Sequence, residues 1–166
     1  MAGLKLQLER WLRNVGRLVV LGVGNRMQGD DGAGVLVARR LSKLRLPEGV
    51  MVVEAGVSPE NFTEKIVKFR PTHLLIVDAA LFKAKPGSIR LFTIDRLGGV
   101  IFSTHRLPLT LLVDYLKHFI PNVEVRLLAI KPERVEWGEK PSAATLHAID
   151  EAAKILAEIL AEKFNF

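Results

Sequence analysis

Two uninterrupted apolar runs, RLVVLG at residues 17–22 and LLIVD at residues 74–78, constrain the fold more than any other feature. A strand with one wet face alternates with polar residues, whereas a strand covered on both faces does not. Both runs therefore predict central strands of a sheet packed on its two sides. Three further strands are predicted at 50–54 (VMVVE), 88–94 (SIRLFTI) and 123–130 (VEVRLLAI), each rich in branched or aromatic residues. Helical spacing fills the intervals. Residues 31–44 align Val35, Ala38, Leu41 and Leu44 on one face; 60–69 align Phe62, Ile66 and Phe69; 109–119 align Leu109, Leu112, Val113 and Leu116. From Ser142 onward, Leu146, Ile149, Ala153, Leu156 and Leu160 form the strongest stripe. Strands and helices alternating at these lengths predict a three-layer α/β/α sandwich: a mostly parallel, twisted five-stranded sheet with helices on both faces.

The chain of 166 residues is expected to form a single domain over 1–166, since no composition break or repeat divides it. Residues 1–16 are expected to be a helical extension whose Leu4, Leu8, Trp11 and Leu12 pack on the body. That extension has charges scattered through it, unlike a signal peptide, and no apolar run reaches the ~20 residues of a membrane span. A cytoplasmic protein without membrane insertion is expected, with a monomer favoured. The chain has no cysteine, which removes thiol nucleophiles, disulfides and thiolate metal ligands. Lys and Arg number 24 against 18 Asp and Glu, a net charge of +6, but they are dispersed. Without a basic run or interleaved aromatics, no nucleic-acid partner is expected.

Polar residues just past the strand ends are the candidate site, because open parallel sheets gather functional groups there. The first such loop is LGVGNRMQGDDGAG at residues 21–34. It is not a dinucleotide fingerprint: after Gly22 and Gly24 the third glycine position holds Met27. Asp30 and Asp31 would also repel a pyrophosphate, and no G-K-[ST] follows. Carboxylates suit a helix start, so Asp30 is assigned to holding that start and Asp31 to the cleft. The glycines are expected to turn the chain sharply and to leave an open approach for a bulky substrate. Asp78 ends the second apolar run, and His105 lies in the long connection after the fourth strand; His73, His118 and His147 read as structural or exposed. Asp31, Asp78 and His105 together offer two oxygens and one imidazole nitrogen. Such a set suits a divalent ion such as nickel or zinc with positions left for substrate or water.

Three motifs in order, GVGNRMQGDDGAG at 22–34, LLIVDA at 74–79 and THRLPL at 104–109, resemble the nickel–iron hydrogenase maturation endopeptidases, most of all the HycI type. The similarity runs from Arg17 to the end. It implies a twisted sheet between helices and removal of a short C-terminal extension from the hydrogenase large-subunit precursor after nickel insertion. It also implies metal contacts from Asp31, Asp78 and His105, with Asp31 and Asp78 as the catalytic carboxylates of an aspartic-type endopeptidase. The nickel would be that of the substrate rather than a resident ion, and the precursor would be the partner. This chain departs from many members in carrying Glu54-Ala55-Gly56 after the second strand, where an aspartate-glycine pair is common. Glu54 is therefore a candidate supporting group only. Either carboxylate, Asp31 or Asp78, could activate the attacking water, or the metal could polarise it. A covalent intermediate is disfavoured by the lack of cysteine and of a G-x-S-x-G elbow. The alternatives are a non-catalytic nickel or large-subunit binding factor and, more remotely, a nucleotide-binding protein.

Overall fold

The computed structural model describes residues 2–97, 100 and 108–165. Five strands, β1 (Leu18–Val23), β2 (Val50–Gly56), β3 (His73–Ala79), β4 (Ile89–Thr93) and β5 (Glu124–Ile130), form one sheet in the order β2-β1-β3-β5-β4. The first three and β5 run parallel, and β4 pairs antiparallel with β5 at one edge. Among the described residues five α-helices accompany them: α1 (Ala2–Trp11), α2 (Ala33–Ser42), α3 (Thr63–Phe69), α4 (Leu109–Phe119) and α5 (Ala143–Phe164). Every residue of β1 and β3 is buried, as their unbroken apolar character predicts. The edge strand β4 is only partly covered.

Side-chain parity divides the core in two. Leu18 and Val20 of β1, with Leu75, Val77 and Ala79 of β3, meet α1, α2 and α5 on one face. Val19, Leu21 and Val23, with Leu74 and Ile76, meet α3 and α4 on the other. Leu4, Leu8, Trp11 and Leu12 join the first core, so the N-terminal helix is built into the body. Each fully buried leucine there contributes roughly 1.5–3 kcal/mol.

Several local expectations shift. The segment read as one helix over 31–44 is a 3-10 turn, Gly29–Gly32, followed by α2, which ends at Ser42 and leaves Leu44 exposed. The segment at 60–69 likewise opens with a 3-10 turn, Pro59–Phe62. Leu146 is exposed; α5 instead buries Thr145, Ala148, Ile149, Ala152 and their successors. Ser142 caps that helix, its Oγ accepting from Thr145 N–H at 3.3 Å.

Candidate active site

The strand order reverses direction between β1 and β3. From β1 the chain crosses through α2 to β2 on one side, whereas β3 is followed by strands on the other. The crevice beyond the carboxyl ends of these two neighbours is the switch point where ligands of such sheets bind. Asp31 and Asp78 both arrive there. Gly22 of β1 pairs with Val77 of β3, and Asp78 is the next residue along. Asp78 continues the parity of Leu74 and Ile76, which places it on the α3/α4 face of the sheet. Asp31 lies in the 3-10 turn after β1, and that turn packs against β3. Both carboxylates are wholly buried. Asn25 orients the first of them: its N–H donates to Asp31 Oδ2 at 2.9 Å, while its own Oδ1 accepts from Met27 N–H at 2.9 Å.

The glycines turn the chain sharply, as expected, and also permit close packing. Gly22, Gly24 and Gly34 are buried, and a Cβ on Gly34 would collide with the carbonyl oxygens of Val77 and Val23. The first turn of α2 thus rests directly on the ends of β1 and β3, three residues after Asp31. At Gly24, φ is +138° and a Cβ would collide with the Asp31 carbonyl. Gly24 thus makes a turn that only glycine makes readily, and Gly34 lets the start of α2 approach the ends of β1 and β3.

Asp30 also differs from its expected role. No side chain caps the 3-10 turn or α2. Instead Asp30 reaches across to residues 131–142, the connection between β5 and α5. Its Oδ2 accepts from Glu133 N–H at 2.8 Å, Arg134 N–H at 3.1 Å and Ser142 Oγ–H at 2.8 Å; its Oδ1 accepts from Ser142 N–H at 2.6 Å. Burial by itself pushes this carboxyl up, but the donors from Ser142, Arg134 and Glu133 outweigh it and hold the group below the ordinary aspartate range. The sequence signal for this clamp was slight: a Pro- and Gly-punctuated segment ending in a Ser N-cap, with no periodicity linking it to Asp30.

Glu54 stands apart from the site. It is exposed on β2 and pairs with Arg39 Nε of α2 at 2.8 Å, which turns it toward the face opposite Asp78. His105 lies outside the described residues. His118 and His147 are exposed, while His73 is buried at the opposite end of β3 from Asp78, with Nε2 3.1 Å from the Trp11 carbonyl and Nδ1 2.8 Å from Thr72 Oγ1. Among the described residues no three His, Asp or Glu side chains form a metal-binding group.

The HycI hydrogenase maturation protease family model matches residues 35–159, three quarters of the chain. The chain belongs to the hydrogenase maturation protease family. A putative hydrogenase maturation protease of Methanocaldococcus jannaschii is 34% identical over 158 residues, covering 91% of this chain and 92% of that protein. The hydrogenase 3 maturation protease of Escherichia coli K12 is 43% identical over 119 residues, covering 70% of this chain and 74% of its own. Among solved structures, the [NiFe] hydrogenase maturation protease HycI from Thermococcus kodakarensis KOD1 superposes with a TM-score of 0.86 at 32% identity, covering 93% of this chain and 98% of that one. Among the described residues no helix is long and apolar enough to cross a membrane.

Proposed function

We propose that this chain is the site-specific endopeptidase that removes the C-terminal extension of a nickel–iron hydrogenase large-subunit precursor after nickel insertion, acting in the cytoplasm. The observation that carries this reading is the delivery of Asp31 and Asp78, both buried, to adjacent strand ends in a chain of this family. Two carboxylates joined by the His105 imidazole make a donor set suited to a divalent first-row ion. The precursor's nickel is then the recognition mark: it meets Asp31, Asp78 and His105 and sets the scissile peptide beside them. Water adds to the peptide carbonyl, one carboxylate takes its proton, and that proton passes to the departing amine. Asp31 enters with its Oδ2 already fixed by Asn25 N–H, which limits the reorganisation needed on binding. The enzyme is in this sense of aspartic type and recognises metal without keeping it.

The test is incubation of nickel-loaded precursor with the wild-type protein and with Asp31→Asn, Asp78→Ala and His105→Ala, read as shortening on a gel. Loss of shortening in all three variants, with folding retained by circular dichroism, is the expected result. Wild-type rates from both Asp78→Ala and His105→Ala would overturn the assignment. Precursor that binds the wild-type protein but is never shortened would identify a binding factor in place of a protease.

A further inference from the structure

At the end of the sheet opposite Asp78, a cavity of about 530 Å³ opens between α1, the edge strand β4 and the first residues of β3 and β5. Its wall includes Arg10, Trp11 and Arg13 of the N-terminal segment, His73 of β3, and Glu124 and Arg126 of β5. The volume is that of a small-molecule site. Among the described residues none of the three arginines enters an ion pair; Arg126 Nη1 donates to the Val125 carbonyl at 3.0 Å. Glu124 is the one carboxylate among the described lining residues, with Oε2 3.7 Å from His73 Nε2. Burial holds His73 below its ordinary value, so it is uncharged at neutral pH. Three guanidiniums against one carboxylate leave an excess of two positive charges. Asp95 and Lys117, in the hollow that adjoins this one at Arg126, offset each other.

A second observation concerns Trp11. It is 8% exposed, and its buried Nε1–H has no hydrogen-bond acceptor among the described residues. A buried indole N–H usually finds one. The ring is held from two sides: it stands edge-on to His73 with centroids 5.1 Å apart, and the Arg126 guanidinium carbon lies 5.7 Å from its centroid. A donor lacking an acceptor and three guanidiniums lacking counterions thus belong to the wall of one cavity. We propose that this cavity binds a small phosphate-bearing molecule, its phosphoryl oxygens held by Arg10, Arg13, Arg126 and Trp11 Nε1–H. A phosphomonoester carries about −1.5 to −2 charges at pH 7 and three acceptor oxygens, which matches the excess. Guanidinium forks bind such oxygens two at a time, whereas a single carboxylate would leave one positive charge over. A concave site of this size, in a chain whose other basic residues are dispersed, selects a small molecule over a nucleic acid. His73 and Asp78 stand five residues apart along β3, about 16 Å, so the site is separate from the candidate carboxylates and independent of the endopeptidase reading.

The experiment uses the fact that the chain has two tryptophans, Trp11 and Trp137. Its nitrogen–proton correlation spectrum therefore carries two indole signals, which Trp137→Phe assigns. Inorganic phosphate, titrated into the full chain at constant ionic strength, is expected to move the Trp11 signal and leave that of Trp137 in place, with saturation by about 10 mM, ten times a Kd of about 1 mM. Arg126→Gln and the double variant Arg10→Gln/Arg13→Gln should each weaken this response about tenfold or more, because each removes a charge-assisted donor. Arg10 and Arg13 are exposed, so the double variant keeps the fold. A Trp11 signal that phosphate does not move overturns the site. An equal response to sodium acetate, or a wild-type response in the double variant, overturns it too. A short single-stranded RNA that moves the signal at far lower concentration than phosphate does would replace the small molecule by a nucleic acid. None of these measurements involves the precursor, so their failure leaves the endopeptidase reading where it stood.

Discussion

Replacing Asp30 by alanine withdraws the acceptor shared by Glu133 N–H, Arg134 N–H, Ser142 N–H and Ser142 Oγ–H, the two Ser142 bonds being buried and the other two part-buried. A hydrogen bond to a charged partner contributes about 1.5–3 kcal/mol, and a buried donor left without an acceptor costs about 1–3 kcal/mol. The four bonds share one carboxylate, so they do not add; a total of about 3–5 kcal/mol is expected for Asp30→Ala. Asp30→Asn keeps one acceptor oxygen but turns an amide NH2 toward donors, with Ser142 Oγ the one partner able to rotate and accept it. About 2–3 kcal/mol is expected there. For a chain of this size 1 kcal/mol moves Tm by about 2–4 °C, so Asp30→Ala should melt roughly 6–20 °C lower. Urea unfolding followed by circular dichroism reads the free energy directly. Adding Ser142→Ala in both backgrounds closes a double-mutant cycle, in which a coupling of about 1–2 kcal/mol is expected. An Asp30→Ala protein within about 0.5 kcal/mol of wild type would refute the clamp, since the two buried donors of Ser142 cannot lose their acceptor at so small a cost.

Gly34→Ala should destabilise by about 3 kcal/mol or more through collision with the Val77 and Val23 carbonyls, and the unfolding midpoint will show it. The sign is informative, because alanine in an unencumbered helix would stabilise by about 1 kcal/mol. Gly138→Ala meets open space at φ +79° and should lose only about 1–2 kcal/mol, from the left-handed backbone alone. His73 is held below its ordinary value chiefly by burial, with Arg126 acting in the same direction and Glu124 and the Trp11 carbonyl opposing. As pH falls through 6.5 the unfolded chain takes up a proton that the folded one resists, so stability should decline from pH 7 toward pH 5.5. His73→Gln should flatten that limb in melts taken across the range. Glu54→Gln removes only a partly exposed pair with Arg39 and should change stability by less than about 1 kcal/mol, with precursor shortening unaffected.

What the sequence determined by itself is whatever rests on local pattern. The unbroken apolar runs identified β1 and β3 as the covered centre of the sheet, and helical spacing found α4 at its observed bounds. Position just past the strand ends made Asp31 and Asp78 the candidate carboxylates, and both are buried there. Only the tertiary structure decided which strands are neighbours, that β4 turns antiparallel at the edge, and that β1 and β3 flank the reversal of strand order. It also set the faces: Glu54 follows an apolar run just as Asp78 does, yet it turns to the opposite side of the sheet. The roles of Asp30 and the glycines were invisible for a different reason. Asp30 bonds residues 103 to 112 positions away, and Gly34 faces a carbonyl on β3. Periodicity reports the environment of a residue's own element. It carries no information about which distant backbone will come to rest against that residue, and here such contacts hold the site together.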